Sequence, residues 1–355
     1  MNIIEQFLAK EAKIIDKEIS IFLPKKLNKS WIDFVASKPE YSYGLKTAEE
    51  SITKPVHEFL SRGGKRWRPA LMLLSCDAVG GKSSSIKEFS VLPELIHSGT
   101  LLVDDVEDNS LLRRGKPALH TIYGIDIAVN AGNMLYFLPL KVIEKFLKGK
   151  KIPEKKALAI YKAYSEELIR LSLGQAMDIY WHKGNAKTIS EAQYLQMCVY
   201  KTGSLAKFSA KLGAILGNAS EKQTELLGNF AASIGVAFQI QDDILNIRPS
   251  GKWGKELGDD ISEGKRTLLV IYALKHTSKE KAKRLIQILN MHTKNASSVK
   301  EAISIIAETG AIEYAKAKAE SILKSSWKKL DPALKESKAK GMLRAFADYL
   351  VERRI

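Results

Sequence analysis

The sequence predicts an all-α chain. Three observations carry that expectation. No segment alternates apolar and polar residues with the period of two that a half-buried strand requires. Helical spacing recurs instead. Leu168, Leu171, Gln175, Asp178 and Ile179 share one stripe, and Leu226, Leu227, Phe230, Ile234 and Phe238 share another. The interruptions are short and mostly glycine-bearing, as at Gly63-Gly64, Gly80-Gly81, Arg114-Gly115-Lys116-Pro117, Lys183-Gly184-Asn185 and residues 249–258. No low-complexity linker or fixed-period repeat divides the chain, so residues 1–355 read as one domain. It would contain about a dozen helices of ordinary length, the longest flanking two acidic clusters.

Helix starts are marked along the chain. The first 40 residues mix charged and apolar side chains, with no apolar core of a signal peptide. They carry no assignable chemistry. Gly63-Gly64-Lys65-Arg66-Trp67-Arg68-Pro69 reads as a tight loop feeding a helix. Thr188 with Glu191, and Ser220 with Gln223, have the spacing of capping boxes. Asp331-Pro332 reads as an N-cap followed by proline at the first helical position.

Composition narrows the function classes. The 355 residues are 45% hydrophobic and 27% charged, as expected of a globular protein. Net charge is +16, but the lysines are dispersed. A dispersed excess describes a solvated surface, so nucleic-acid binding is not the expectation. Attraction of anionic small substrates, or peripheral contact with an anionic membrane, is compatible with it. Cys76 and Cys198 are the only cysteines, and both sit in apolar helical contexts. They read as buried thiols of a reducing, cytoplasmic compartment, not as a disulfide or zinc site. No run of about 18 uncharged apolar residues suggests a membrane span.

The chemistry lies in two aspartate clusters, each at the end of an apolar helical run. The first is Asp104-Asp105-Val106-Glu107-Asp108, and the second is Asp242-Asp243-Ile244-Leu245-Asn246. Asp104 and Asp108 are four residues apart and share a helix face, while Asp105 lies about 100° round it. Asp242 and Asn246 repeat the spacing. Adjacent carboxylates repel, so a cation is expected to offset them. Mg²⁺ fits, because it takes a few carboxylates together with diphosphate oxygens. Two such faces turned towards each other would form a cage for several Mg²⁺ ions, which would hold a diphosphate and stabilise it as a leaving group. Basic motifs accompany the acidic ones. Lys65 and Arg68 can grip a second diphosphate, and Arg113-Arg114 directly follow the first cluster. Lys201-Thr202-Gly203 and Gly264-Lys265-Arg266-Thr267 add cations near predicted helix ends.

In order, GGKRWRP, DDVEDNSLLRRGKPALH, GQAMD, KTGSL, FQIQDDILN and GDDISEGKRTLL form a motif series over residues 63–269. The series resembles that of the trans-isoprenyl diphosphate synthases, or polyprenyl synthetases, and most closely the pattern of geranylgeranyl diphosphate synthases. Residues 270–355 fit the C-terminal helices of such a domain. The resemblance implies a bundle of long helices around a deep central cavity, normally a homodimer. It also implies head-to-tail condensation. An allylic diphosphate (dimethylallyl, geranyl or farnesyl) ionises, isopentenyl diphosphate attacks the cation through its alkene carbon, and a proton leaves to the departing diphosphate.

The resemblance carries over residue by residue. Asp104 and Asp108 match metal ligands of the first motif, with Asp105 a further one. Asp242 matches the ligand of the second, with Asp243 beside it. Three Mg²⁺ ions would bind with the allylic diphosphate. Arg113, Lys201 and Lys265 match contacts to that diphosphate. Lys65, Arg68, Arg114 and His97 match contacts to isopentenyl diphosphate. Thr202 and Gln239 match polar groups near the developing cation, with Gln175 and Asp178 supporting them. Asn246 departs from the usual third aspartate of the second motif and offers an oxygen without a charge. Geranylgeranyl diphosphate synthases of eukaryotes commonly share this asparagine.

Chain length is expected to depend on the face below Asp104. Thr100 lies one turn earlier on that face, with Gly99 beside it. Both are small where farnesyl-forming relatives often place aromatics, unless they serve only close helix packing. Deeper floor candidates are Ile96 and Leu92 on the same helix and Met134, Tyr136 and Phe137 on the next. The expected product is geranylgeranyl diphosphate, C20. The alternatives are a longer polyprenyl diphosphate, then farnesyl diphosphate, then a non-catalytic subunit of a heteromeric prenyltransferase. A class I terpene cyclase fits poorly, because Asn246 and Ser250 stand where its second metal motif needs Ser/Thr and Glu.

Overall fold

The computed structural model describes residues 3–186, 188–248 and 257–351. The expected break at residues 249–258 lies mostly outside them, as does Ser250. The described chain is helical, with nineteen α-helical segments and one two-stranded ladder. This exceeds the expected dozen, because several runs are interrupted by π turns, as at Glu49–Thr53 and Val199–Gly203, or by 3₁₀ turns. The chain divides into two compact units, Met1–Tyr161 with Leu212–Asn218, and Lys162–Lys211 with Ala219–Ile355.

In the first unit, helix Ile3–Phe22 buries Ile4, Leu8, Ile15 and Ile19 along one stripe. It packs against the helices Trp67–Ala78 and Val91–Glu107. Helix Lys29–Ala36 starts at Asn28, whose side chain accepts from Trp31 N at 2.8 Å. The Trp31 indole donates to Phe22 O at 2.9 Å, and Leu27 N donates to Glu49 Oε1 at 2.7 Å. Helix Trp67–Ala78 is buried almost all round, which accounts for its nearly unbroken apolar sequence.

Helix Val91–Glu107 ends in the first acidic cluster and packs along Ile125–Phe137. Glycine permits the crossing. A Cβ at Gly99 would lie 2.6 Å from Gly132 O and 2.9 Å from Leu135 Cβ. The ladder pairs Leu112–Arg113 with Lys116–Pro117. Its turn residues, Arg114 and Gly115, have φ of 55° and 71°, as a type I′ hairpin turn requires.

In the second unit, Ser220 and Gln223 form the expected capping box on helix Glu221–Ile247. The box expected at Thr188 is instead made by Ser190 with Gln193, two residues later. Asp331 is not the start of an α-helix. It ends helix Ala311–Leu330 and opens the 3₁₀ turn Asp331–Ala333. Helix Lys338–Val351 begins after Ser337, whose hydroxyl accepts from Lys340 N at 3.1 Å. The longest helix, Glu154–His182, carries neither acidic cluster; it carries Gln175 and Asp178. Cys76 and Cys198 are buried free thiols. Among the described residues no helix is long and apolar enough to cross a membrane.

Candidate active site

The first unit gathers Lys65, Arg68, Glu94, His97, Asp104, Asp105, Asp108, Arg113 and Arg114. Asp104 and Asp105 lie in the last turn of Val91–Glu107, and Asp108 is its C-cap. Asp105 is buried, with Oδ1 accepting from Arg113 Nε at 2.6 Å. Arg113 Nη2 lies 3.4 Å from Asp104 Oδ2. Burial lowers the Arg113 pKa, but Asp105 and Asp104 more than reverse that and hold it above the ordinary value. Burial raises the Asp105 carboxyl, with Arg113 opposing. Asp105 Oδ2 is buried with no hydrogen-bond partner, so the cluster retains an acceptor for a cation.

The GGKRWRP segment is held by Arg66, which the sequence reading did not single out. Arg66 adopts φ 48° and is buried. Its guanidinium donates to Glu94 Oε1 at 2.7 Å, Asp16 Oδ1 at 2.8 Å and Leu60 O at 3.0 Å. Lys65 stays exposed, while Arg68 turns inwards with Nη1 3.0 Å from His97 Nε2. Arginine can only donate, so His97 accepts there and is neutral. Burial, then the nearby Arg68 and Arg114, push its pKa well below the usual histidine value.

Arg114 donates to Gly63 O and lies over the Phe59 ring, 4.8 Å from its centroid. Burial lowers its pKa to about 10. Glu94 opposes this and Arg66, Arg113 and Arg62 reinforce it. This crowd of guanidiniums, with Glu94 as its buried counter-ion, is suited to receive a diphosphate.

The chain-length candidates separate. Gly99 is spent on the crossing with Gly132, and the Tyr136 ring packs so close that a Cβ at Gly99 would lie 3.3 Å from it. Thr100 is half-buried and its hydroxyl donates to His97 O at 2.8 Å. Ile96 and Leu92 are fully buried. Phe137 is 65% exposed. Met134 lines a cavity of about 290 Å³ with Leu27, Trp31, Tyr43 and Ile52.

The second unit gathers Gln175, Asp178, Lys201, Thr202, Gln239, Asp242, Asp243, Asn246 and Lys265. Lys201 and Thr202 lie in the π turn Val199–Gly203. A Cβ at Gly174 would collide with the backbone of Tyr200 and Lys201, which explains the glycine of GQAMD. Lys201 Nζ donates to the buried Asp178 Oδ2 at 2.6 Å. Burial raises the Asp178 pKa, but Lys201 and Lys265 outweigh it and hold the carboxyl below the ordinary value.

Thr202 Oγ1 donates to Gln239 Oε1 at 2.8 Å, and Gln239 Nε2 donates to Asp243 Oδ1 at 2.9 Å. Tyr194, also missed in the sequence, donates to the other oxygen of Asp243 at 2.6 Å. Asp243 is pushed up to about 8 by burial and Asp260, with Tyr194 and Gln239 opposing. Asn246 Oδ1 accepts from Asp260 N at 3.2 Å, so this amide braces the turn that presents Asp260. Lys265 Nζ lies 3.8 Å from Asp260 Oδ1. Asp260 falls in the GDDISEGKRTLL motif, which is the signal by which it was findable.

Among the described residues no group of three or more His, Cys, Asp or Glu is preassembled for a metal. The donor sets still fit Mg²⁺, which needs only one or two protein carboxylates when phosphate oxygens and water complete its shell.

The polyprenyl synthetase family model matches residues 49–306. The chain belongs to the polyprenyl synthetase family. It is 34% identical over 305 residues to a short chain isoprenyl diphosphate synthase of Methanothermobacter thermautotrophicus, covering 86% of this chain and 91% of that one. It is 33% identical over 308 residues to the geranylgeranyl diphosphate synthase of Methanosarcina mazei, covering 86% and 91%. The geranylgeranyl pyrophosphate synthetase structure from Pyrococcus horikoshii superposes with a TM-score of 0.84 at 30% identity, covering 99% and 100%. As a polyprenyl synthetase, the chain is a prenyltransferase of all-α fold.

Proposed function

We propose that this polyprenyl synthetase condenses isopentenyl diphosphate with an allylic diphosphate and releases geranylgeranyl diphosphate, C20. The observation that carries the reading is the cluster of three cations, Lys65, Arg68 and Arg114, with neutral His97 bonded to Arg68, in the same unit as Asp104, Asp105 and Asp108. A one-diphosphate reaction would need only the carboxylates.

Lys65, Arg68 and Arg114 would bind the isopentenyl diphosphate, and neutral His97 orients Arg68. Asp104, Asp105 and Asp108, with Asp242 and Asp243, would hold Mg²⁺, taken as three ions. Those ions, when bound, would draw charge from the allylic diphosphate and make it a better leaving group. Arg113, Lys201 and Lys265 would contact the same diphosphate. Thr202 and Gln239 would face the developing cation with oxygen dipoles. Asp178 holds Lys201 in place, and Gln175 shares its helix.

The C20 product is supported by the small, half-buried Thr100 one turn before Asp104 and by the fully buried Ile96 and Leu92 deeper on that helix. Homodimerisation is supported by Ile169, Leu173 and Tyr180, which expose 62%, 51% and 56% of their surface along one helix face. Radiolabelled isopentenyl diphosphate supplied with each allylic starter in turn tests the reaction. No incorporation with any starter would end the reading.

A further inference from the structure

The structure assigns to Arg62 a role that rests on this reading and deepens it: we infer that Arg62 is a positioning residue that holds the Arg113–Arg114 hairpin against the isopentenyl diphosphate loop. Arg62 is the C-cap of helix Lys54–Ser61 and immediately precedes Gly63-Gly64-Lys65. Its side chain is fully buried. Nη1 donates to Pro117 O at 2.8 Å and faces Arg113 O at 3.4 Å. These carbonyls belong to the two paired strands of the hairpin. Nη2 donates to Glu58 Oε1 at 2.9 Å, one helical turn earlier. The other oxygen of Glu58 accepts from Tyr123 Oη at 2.6 Å. Tyr123 ends helix Leu119–Tyr123, which directly follows the hairpin.

The hairpin is thus fastened twice to helix Lys54–Ser61, by Arg62 at its strands and by Glu58 just beyond it. The ladder itself is only two residues long on each side and cannot fix its own direction. Its two arginines point to different tasks. Arg113 bonds Asp105, and Arg114 reaches back to Gly63 O. Arg62 Nη1, bonded to a carbonyl of each strand while Nη2 is held by Glu58, sets where both begin. One guanidinium, bonded to two strand carbonyls and a carboxylate, therefore registers the loop bearing Lys65 with the hairpin bearing Arg113 and Arg114. Lysine cannot replace it, because one ammonium lacks the planar fork that spans two carbonyls and a carboxylate.

The test uses the full-length enzyme with Arg62→Met, Arg62→Lys, Tyr123→Phe and the Arg62→Met/Tyr123→Phe double variant. Wild-type turnover establishes the reaction independently of the inference. KM for isopentenyl diphosphate, KM for the allylic starter and kcat are measured, with direct calorimetric binding of isopentenyl diphosphate and thermal melting alongside. Misplacing a binding group by about 1 Å through a mutation far from the chemistry can cost on the order of 100-fold. Arg62→Met is expected to weaken isopentenyl diphosphate binding about tenfold or more, with Arg62→Lys close to it. Tyr123→Phe should weaken it less, and the double variant should resemble Arg62→Met because both act through one network. A folded Arg62→Met protein with wild-type binding and KM values would overturn the inference. If Arg62→Met does not fold, Tyr123→Phe decides: a lowered melting temperature with unchanged binding would show a structural role only.

Discussion

Tyr194 Oη donates to Asp243 Oδ2 at 2.6 Å, and both side chains are buried. The second acidic motif is therefore not a bare pair of carboxylates. Asp243 is fixed from one side by Tyr194 and from the other by Gln239, which is itself bonded to Thr202. Asp242 beside it is only half-buried. We expect Tyr194→Phe to lower kcat about tenfold or more through the misplaced carboxylate. Leaving a buried acceptor without its donor should also cost about 1–3 kcal/mol of stability. Unchanged kcat with lowered stability would restrict Tyr194 to packing.

Thr100→Phe places an aromatic ring one turn before Asp104. The product should shorten to C15 if this face lines the path of the growing chain. Chromatography of the dephosphorylated products reads the result, and an unchanged product size would exclude the face. Gly99→Ala is a useful contrast. Its Cβ would meet Gly132 O at 2.6 Å, so its effect should be lost stability.

Asp178 gives a pH prediction whose sign is fixed by its pairing. Lys201 and Lys265 hold its folded pKa below the usual aspartate value, against burial. A group depressed on folding stabilises above its unfolded pKa and loses that contribution as pH falls through the folded one. Acid unfolding should therefore steepen below about pH 4. Asp178→Asn should flatten that part of the melting-temperature profile. It should also lower stability at neutral pH, because Lys201 loses its carboxylate partner. A profile identical to wild type in that acidic range would contradict the assignment.

Ile169, Leu173 and Tyr180 recur at helical spacing on an exposed face. Leu173→Asp should shift the protein towards monomers in sedimentation velocity, with helical content intact. A wild-type protein that sediments as a monomer at micromolar concentration would refute the homodimer directly.

Much of the site was legible in the sequence because its chemistry is local. The four-residue spacing puts Asp104 and Asp108 together, and Ser220 caps the helix that follows it with Gln223 only three residues on. What was missed is non-local. Arg66 meets Glu94 across 28 residues and Asp16 across 50, so no window holds the triad. Asp16 lies in the N-terminal segment, where no motif marked any chemistry. Tyr194 meets Asp243 across 49 residues. Gly99 read first as a small residue that leaves the tunnel open and second as a helix contact, and the Gly132 carbonyl it packs against lies on another helix. Thr188 and Ser190 each have a partner three residues on, but Glu191 is bonded to Tyr314 and Lys318, while Gln193 closes the box on Ser190.

The central claim is tested most directly by sizing the product. Purified enzyme, Mg²⁺, labelled isopentenyl diphosphate and farnesyl diphosphate would be incubated, with Asp104→Ala as the control. A dominant C20 alcohol after dephosphorylation, absent with the folded Asp104→Ala variant, is the predicted result. Full activity in Asp104→Ala, or products that run well past C20, would contradict the account, the first on metal-assisted ionisation and the second on chain length.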